Sequence, residues 1–296
     1  MRWYVITGMA ITLDKPGVDG LNEAVAELRE WQHEGVAWQL HPGDVGWFWR
    51  FGPEATAAAV RTWSRDGRIL AFGLLDGADL LRLTIAPDAR RDEELARRLV
   101  EDVIEPEREV LPPGKVSVES PKDALIEDLL SEHGWFTDEP WTPLRRDLAE
   151  PVQAPDLRIE VIGPERGHVH AALVRASFDR STFTEERWHA MAAGLPYTDG
   201  RCLVAYDDHD EAVAAVTVWS AGPGKPGVLE PMGVHRDHRG HGYGRAITVA
   251  AAAALQELGS SSAAMATPSS NVAAVATYKS SGFQALPEIR DRTRDA

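Results

Sequence analysis

The stretch MGVHRDHRGHGYGRA, Met232–Ala246, sets three glycines and a run of basic side chains between a strand pattern, VLEPMGV, and a helix pattern, RAITVAAAAALQELG. Gly240, Gly242 and Gly244 carry no side chain, so the backbone there can approach an anion closely, and the helix that follows aims unpaired N–H groups at the same point. Successive amides and the helix dipole neutralise a pyrophosphate without a metal, with Arg239 and Arg245 as auxiliary cations. Glycines in a strand-to-helix turn also serve the turn alone, and the loop by itself leaves both readings open. It lacks the GxxxxGKS/T spacing of a nucleoside triphosphate site, and no ribose-binding acid follows in a parallel-sheet pattern.

Around the loop, the second half of the chain orders its elements clearly. LRIEVI begins it as a strand, HVHAALVRASF and TEERWHAMAAG read as helices, and CLVAYDD, EAVAAVTVWS and VLEPMGV read as successive strands. After the loop come the alanine-rich helix ending at Gly259, a strand SAAMAT, and a helix NVAAVATYKSSGF ended near Gly282. The first half echoes this order with GWFWRFG, GRILAFGLLDG and DLLRLTIAPD as strands, then DEELARRLVEDVI, KVSVES and KDALIEDLLSEHGWF. The proline-rich DLAEPVQAPDLR, Asp147–Arg158, interrupts both periodicities, so the chain divides into domains 1–150 and 151–296 that look like distant repeats.

With 296 residues and 44% apolar composition the chain has material for two cores. A formal charge of −15 repels nucleic acid and anionic membranes over most of the surface, and suits an amine-bearing partner. The single cysteine, Cys202, lies in a strand pattern, so no intrachain disulfide is possible. The first residues, MRWYVITGMAITLDKPG, show neither a cleavage site nor the roughly 18-residue apolar run of a membrane span, which points to a cytoplasmic protein.

The pairing of VHRDHRGHGYGRA with NVAAVATYKSSGF resembles the GNAT superfamily of acyl-CoA-dependent N-acyltransferases over roughly residues 157–292. The resemblance implies an α/β (α+β) fold of two tandem GNAT-like domains, each a mixed, mostly antiparallel central sheet flanked by helices. It implies acetyl-CoA as co-substrate and no metal. Residue by residue, it assigns the Met232 and Val234 main chain to pantetheine, the loop Arg239, Gly240, His241, Gly242, Tyr243, Gly244 and Arg245 to pyrophosphate, and Asn271 and Tyr278 to the neighbourhood of the thioester.

Two residues carry the chemistry in this reading. A phenol of pKa near 10 is protonated at neutral pH and can donate to a departing thiolate of pKa about 8.5, which suits Tyr278; alone, it is also a packing tyrosine. An ammonium acceptor needs a base, and Glu230, four residues before Val234 on the same strand pattern, is the candidate, with a structural carboxylate as the alternative. His235, His238 and His241 recur at spacing three but span a strand end and a loop, which disfavours a shared metal. His168 and His170 read as solvated positions at a helix start, and the tryptophans, Trp47, Trp49, Trp188 and Trp219 among them, as packing, with Trp188 and Trp219 as alternative borders of an acceptor pocket.

The first half lacks the device. Matching LTIAPDAR to MGVHRDHR sets Arg90 against Arg239 and places Glu93, or Glu94 with a shift of one, where the second half has Gly242. Leu130 stands four residues before Gly134, as Tyr278 stands four before Gly282. Three functions fit: an acetyl-CoA-dependent N-acetyltransferase of a small-molecule amine, acting as monomer or homodimer; a protein or peptide acetyltransferase; or a CoA-binding regulatory module without turnover.

Overall fold

The computed structural model describes residues 10–295; the N-terminal stretch read above for a leader lies partly outside them. The strands are β1 (Thr12–Asp14), β2 (Val60–Arg65), β3 (Arg68–Leu75), β4 (Leu80–Ile85), β5 (Val116–Glu119), β6 (Phe136–Thr137), β7 (Trp141–Asp147), β8 (Arg158–Val161), β9 (Gly200–Tyr206), β10 (Ala212–Ser220), β11 (Gly227–Val234), β12 (Ser262–Pro268), β13 (Gln284–Ala285) and β14 (Arg292–Arg294). The α-helices are α1 (Leu21–Glu30), α2 (Pro42–Phe48), α3 (Pro53–Ala59), α4 (Glu93–Ile104), α5 (Leu125–Glu132), α6 (Gly167–Ser177), α7 (Glu185–Ala192), α8 (Tyr243–Glu257) and α9 (Val272–Ser280).

The strands form two seven-stranded sheets of one design. The first runs β1-β2-β3-β4-β5-β14-β6 and the second β8-β9-β10-β11-β12-β7-β13. In each, only the fourth and fifth strands are parallel: β4 with β5, and β11 with β12. The expected tandem, mostly antiparallel architecture is therefore what the chain adopts.

The sixth strand of each sheet comes from the other half of the sequence. β7, from the end of the first half, pairs antiparallel with β12 over seven residues, from Ser262–Asp147 to Pro268–Trp141. β14, near the C-terminus, pairs with β5 and β6 of the first sheet. The compact units are accordingly discontinuous: one holds the described residues up to 27, residues 57–138 and those from 291 on, and the other holds residues 28–56 and 139–290. The division expected at residue 150 follows the sequence, whereas the units in space exchange segments across it.

Within the second unit the central strand β10 is covered on both faces. Ala214, Val216 and Val218 pack with Ile247, Ala251 and Leu255 of α8, and Ala215 and Trp219 pack with Ala171 and Val174 of α6 and Trp188 of α7. Helix endings follow the glycines: Gly134, Gly259 and Gly282 all have φ near +80°, a region cheap only for glycine. The amide after each of these glycines bonds back into the helix, Trp135 N to Leu130 O and Phe283 N to Tyr278 O at 3.0 and 3.1 Å, so Leu130 and Tyr278 hold the same place in the two repeats.

One expected strand is a helix. GWFWRFG falls in α2 and a following 3-10 turn, Trp49–Phe51, because HPGD starts a helix more strongly than the aromatics favour a strand. The His41 ring accepts from the Gly43 N–H at 2.9 Å, Pro42 occupies the first turn, and the Asp44 carboxylate accepts the His41 N–H at 2.6 Å, a reciprocal cap. His170, expected in solvent, is fully buried on α6, where Nε2 meets Thr217 Oγ1 of β10 at 3.3 Å. His168, its neighbour, is exposed as expected.

Because β7 covers the edge of β12 and residues 28–56 belong to the second unit, a fragment 154–296 leaves a bare edge and an uncovered apolar face. We expect it to be insoluble, or to lose the cooperative thermal transition of the full chain in circular dichroism. A soluble fragment melting within a few degrees of the full chain would contradict this.

Candidate functional site

The parallel register between β11 and β12 lasts only two pairs, Gly227–Ala263 and Val228–Ala264. Beyond Val228 the strands part, so the β12-facing edge of Met232–Val234 makes no ladder with it. A parted parallel pair is where an extended amide-bearing ligand can pair with strand backbone. Met232 and Val234, half-buried, keep their ladder to β10 on the other edge, opposite Val216 and Ala214.

β11 also contains a bulge. Val218 faces Leu229 while Val216 faces Met232, so β11 holds one residue more than β10 between these pairs, at Glu230–Pro231. Pro231 has no N–H to give a ladder, and a bulge accommodates it. The extra residue breaks simple alternation, and Leu229, Met232 and Val234 all pack with the α8 cluster. The four-residue spacing of Glu230 and Val234 therefore does not by itself fix which face Glu230 takes.

The Glu230 carboxylate nevertheless acts electrostatically on Tyr278. The phenol is 5% exposed, and its pKa is raised above the ordinary tyrosine value, first by burial and then by the nearby Glu230 carboxylate. Tyr278 lies on α9 with its ring against Phe283, centroids 6.1 Å apart. Asn271 is the N-cap of the same helix: Oδ1 accepts the Ala274 N–H at 3.2 Å, leaving the carboxamide NH2 toward solvent.

The loop confirms the conformational reason for two of its glycines. Gly240 and Gly242 both have φ +85°, and a Cβ on either would meet nothing within 4 Å, so the space beside them is open. Gly244 serves packing: a Cβ there would lie 3.2 Å from Thr277 Cγ2 and 3.5 Å from Val234 Cγ2. Gly242 is the N-cap of α8 and offers no side chain, so the first-turn amides of Tyr243, Gly244 and Arg245 are left for an outside acceptor. His241 stacks on Tyr243, 5.9 Å between centroids at 26°.

The arginines divide their donors. Arg239 Nη2 donates to Ser177 O at 2.8 Å and Arg236 Nε to Ala176 O at 2.9 Å, both at the C-terminus of α6. Arg245 Nε donates to Ser280 O at 3.0 Å, at the C-terminus of α9. Their structural bonds fix the loop while leaving exposed guanidinium edges beside it, a tie the sequence gives no sign of. The three histidines have separate partners: His235 Nδ1 accepts the Asp237 N–H at 3.2 Å, His238 Nε2 lies 3.7 Å from Glu211, and His241 Nδ1 lies 3.3 Å from His238 O. Asp207, Glu211 and His238 bring ligand-type atoms within 4.8 Å of one another, but Asp207 Oδ1 already accepts the His209 and Glu211 amides of the β9–β10 turn.

The corresponding helix of the first unit, α4, is capped by its own chain. Its N-cap is Asp92, which therefore stands where Gly242 stands, in place of the expected Glu93 or Glu94. The carboxylate accepts the Leu95 N–H at 2.9 Å and holds Arg65 through bonds of 2.7 and 3.0 Å, a pairing that lowers the Asp92 pKa. An internal anion thus fills the position that the second unit leaves open.

Residues 169–283 match the model of the acetyltransferase (GNAT) family. Similar solved structures include a GCN5-related N-acetyltransferase from Sphaerobacter thermophilus, at 18% identity and TM-score 0.60 over 96% of this chain and 95% of that one. A tandem GNAT protein from the clavulanic acid biosynthesis pathway, solved without AcCoA, gives 17%, 0.63, 96% and 98%. An acetyltransferase of the GNAT family from Colwellia psychrerythraea gives 13%, 0.58, 96% and 99%. At these identities the likeness is one of fold. No curated protein sequence matches the chain.

The contrast between Asp92 and Gly242 predicts one acetyl-CoA site per chain, which titration calorimetry checks by stoichiometry. Gly242→Asp places a carboxylate beside the open first-turn amides of α8 and should weaken acetyl-CoA binding at least 30-fold, at a stability cost of about 1–2 kcal/mol for a non-glycine residue at positive φ. Unchanged affinity would remove the loop from the cofactor site.

Proposed function

We propose that the protein is an N-acetyltransferase that moves an acetyl group from acetyl-CoA to the primary amine of a small molecule, a reading supported by the match of residues 169–283 to the acetyltransferase (GNAT) family model and by the likeness in fold to a tandem GNAT protein. The observation that carries this reading is the joint presence of an uncapped α8 N-terminus, a parted β11–β12 pair, and a carboxylate and a phenol close enough to interact electrostatically.

On this reading the pyrophosphate lies on the amides of Gly242–Arg245 with Arg239 and Arg245 beside it, pantetheine pairs with the free edge of Met232–Val234, and Asn271 and Tyr278 stand toward the thioester. Acetyl-CoA supplies the activated carbonyl. Glu230 takes a proton from the ammonium, directly or through water, which frees the lone pair that attacks. The C–N bond forms and the C–S bond breaks with its electron pair leaving on sulfur, to which Tyr278 donates a hydrogen bond, while the nitrogen's surplus proton passes to water and the thiolate takes up a proton from solvent. A phenol raised above 10 is a weaker acid than a thiol of roughly 8.5, so stabilising the leaving thiolate costs less than full proton transfer to it. The catalytic pair favours turnover over a CoA-binding module without chemistry. A basic peptide remains the second acceptor class, suited by the formal charge of −15. The absence of a helix long and apolar enough to cross a membrane among the described residues is compatible with the proposed cytoplasmic location.

The test is a turnover and thermal-shift screen of acetyl-CoA with pooled amines, amino acids, aminoglycosides and basic peptides, following thiol release. Stabilisation by acetyl-CoA with no transfer to any pool would favour the regulatory module. Tyr278→Phe should lower kcat about 10- to 100-fold while leaving acetyl-CoA affinity within about threefold, since the hydroxyl acts only as the C–S bond breaks. Equal kcat would make Tyr278 a packing residue. Glu230→Gln should cost about 100-fold at pH 6, with the deficit shrinking as pH rises toward the acceptor's own pKa and free amine accumulates. A deficit constant across the pH range would exclude Glu230 as the base.

A further inference from the structure

Trp219 lies near the end of β10, opposite Val228, and is 1% exposed. Its indole reaches two residues along β11, where Nε1–H donates to the carbonyl oxygen of Glu230 at 2.7 Å. This bond falls within the bulge, where regular ladder spacing between β10 and β11 is interrupted. At such a place the backbone orientation needs a restraint of another kind.

The indole is itself tightly held. A Cβ at Gly43 would lie 2.5 Å from Trp219 Cβ, and one at Gly46 would lie 2.5 Å from Cζ3, so α2 rests on the ring through its two glycines. From another side, a Cβ at Gly200 would lie 3.0 Å from Trp219 Cε3, and Tyr197 meets the ring edge-on at 5.8 Å between centroids. α2 is tied to the start of β11 by His41: Nδ1 accepts the Gly43 N–H, so the ring proton sits on Nε2, which donates to Pro226 O at 3.1 Å. Residues 28–56, which carry α2, belong to the second unit although they come from the first half of the sequence.

We propose that Trp219 is a positioning residue for the transfer reaction, setting through the Glu230 carbonyl where the Glu230 carboxylate stands, and that α2 takes part in catalysis by clamping the indole. The inference rests on Glu230 acting as the base. A general base works only within hydrogen-bond reach of the proton it takes, and a displacement of about 1 Å costs on the order of 100-fold in rate. α2 thereby gives the first half of the chain a role in turnover without supplying a group that touches substrate.

The test uses the full chain, acetyl-CoA and the best acceptor amine from the screen. Trp219→Phe keeps a buried aromatic ring and removes the N–H. Gly46→Ala keeps the N–H and pushes the ring. Both should lower kcat about 10- to 100-fold, leave the acetyl-CoA Kd within about threefold, and move the acidic limb of the pH–rate profile. In a Glu230→Gln background, Trp219→Phe should cost less than about threefold more, because the group it positions is gone. Trp219→Phe with the parent's kcat and pH profile would overturn the inference, as would a fall in acetyl-CoA affinity matching that in kcat, or the same cost with and without Glu230. A parent chain that binds acetyl-CoA but acetylates nothing would overturn the underlying functional reading as well, and is distinguishable because it appears before any substitution is made.

Discussion

The first turn of α8 has amides that no side chain of the protein caps, and the surrounding structure is arranged to keep them so. Three helix ends meet near the loop. The C-termini of α6 and α9 present carbonyl oxygens and the negative ends of their dipoles, and Arg236, Arg239 and Arg245 donate to them. These arginines compensate the two negative ends, so the N-terminus of α8 remains as an uncompensated positive one. Gly242 as N-cap supplies nothing to fill it. An anion taken there needs no rearrangement of the protein's own charges, so a strongly acidic chain can still hold a helix end open to an anion.

The first unit provides the internal control for this argument. α4 begins after the corresponding strand, but from an extended N-cap residue where α8 has a left-handed glycine, and the Asp92 carboxylate takes the Leu95 amide while Arg65 of β2 holds it from the other side. A helix start is thus separable from an open helix end: the N-cap residue, through its side chain and its backbone conformation, decides whether the first-turn amides are closed or open. The antiparallel pairs beside the parallel junctions differ too. β3 and β4 keep an uninterrupted register from Ala71–Ile85 to Leu75–Leu81, whereas β10 and β11 are shifted at Glu230–Pro231. Among the described residues the first sheet has its register shift elsewhere, between β2 and β3 at Trp63–Ser64, and its helix end is closed.

Much of this was legible in the sequence because it is local. Glycine spacing announces a loop followed by a helix, alanine content and Gly259 bound α8, and the Leu130–Gly134 and Tyr278–Gly282 pairs mark the same helix ending in both repeats. What was not legible depends on partners far away along the chain. Nothing in WTPLRRD says that it will pair with Ser262–Pro268 in preference to a strand of its own half, because an antiparallel ladder requires alternation and an available edge but no sequence address. GWFWRFG was misread because aromatics favour strands only weakly, and the start signal lay upstream in HPGD. His170 looked solvated since a helix start is ordinarily exposed, while here its ring finds Thr217 beneath the helix. The four-residue spacing of Glu230 from Val234 does not tell which face Glu230 takes, because the bulge at Glu230–Pro231 adds a residue that no strand pattern announces.

The proximity of Glu230 and Tyr278 has an electrostatic consequence for the proposed chemistry. The carboxylate's charge is one of two causes that hold the phenol's pKa above its ordinary value, burial being the larger. While Glu230 is ionised, the phenolate is disfavoured, so Tyr278 keeps its proton and cannot compete as a base. Once Glu230 has accepted the acceptor's proton, that charge is gone and the phenol's pKa falls toward the value set by burial alone. The hydrogen bond it offers to a thiolate then strengthens, at the point in the reaction when negative charge reaches the sulfur. On the proposed mechanism, proton arrival at one residue thus prepares the other, and burial of the phenol is what makes it sensitive to that charge.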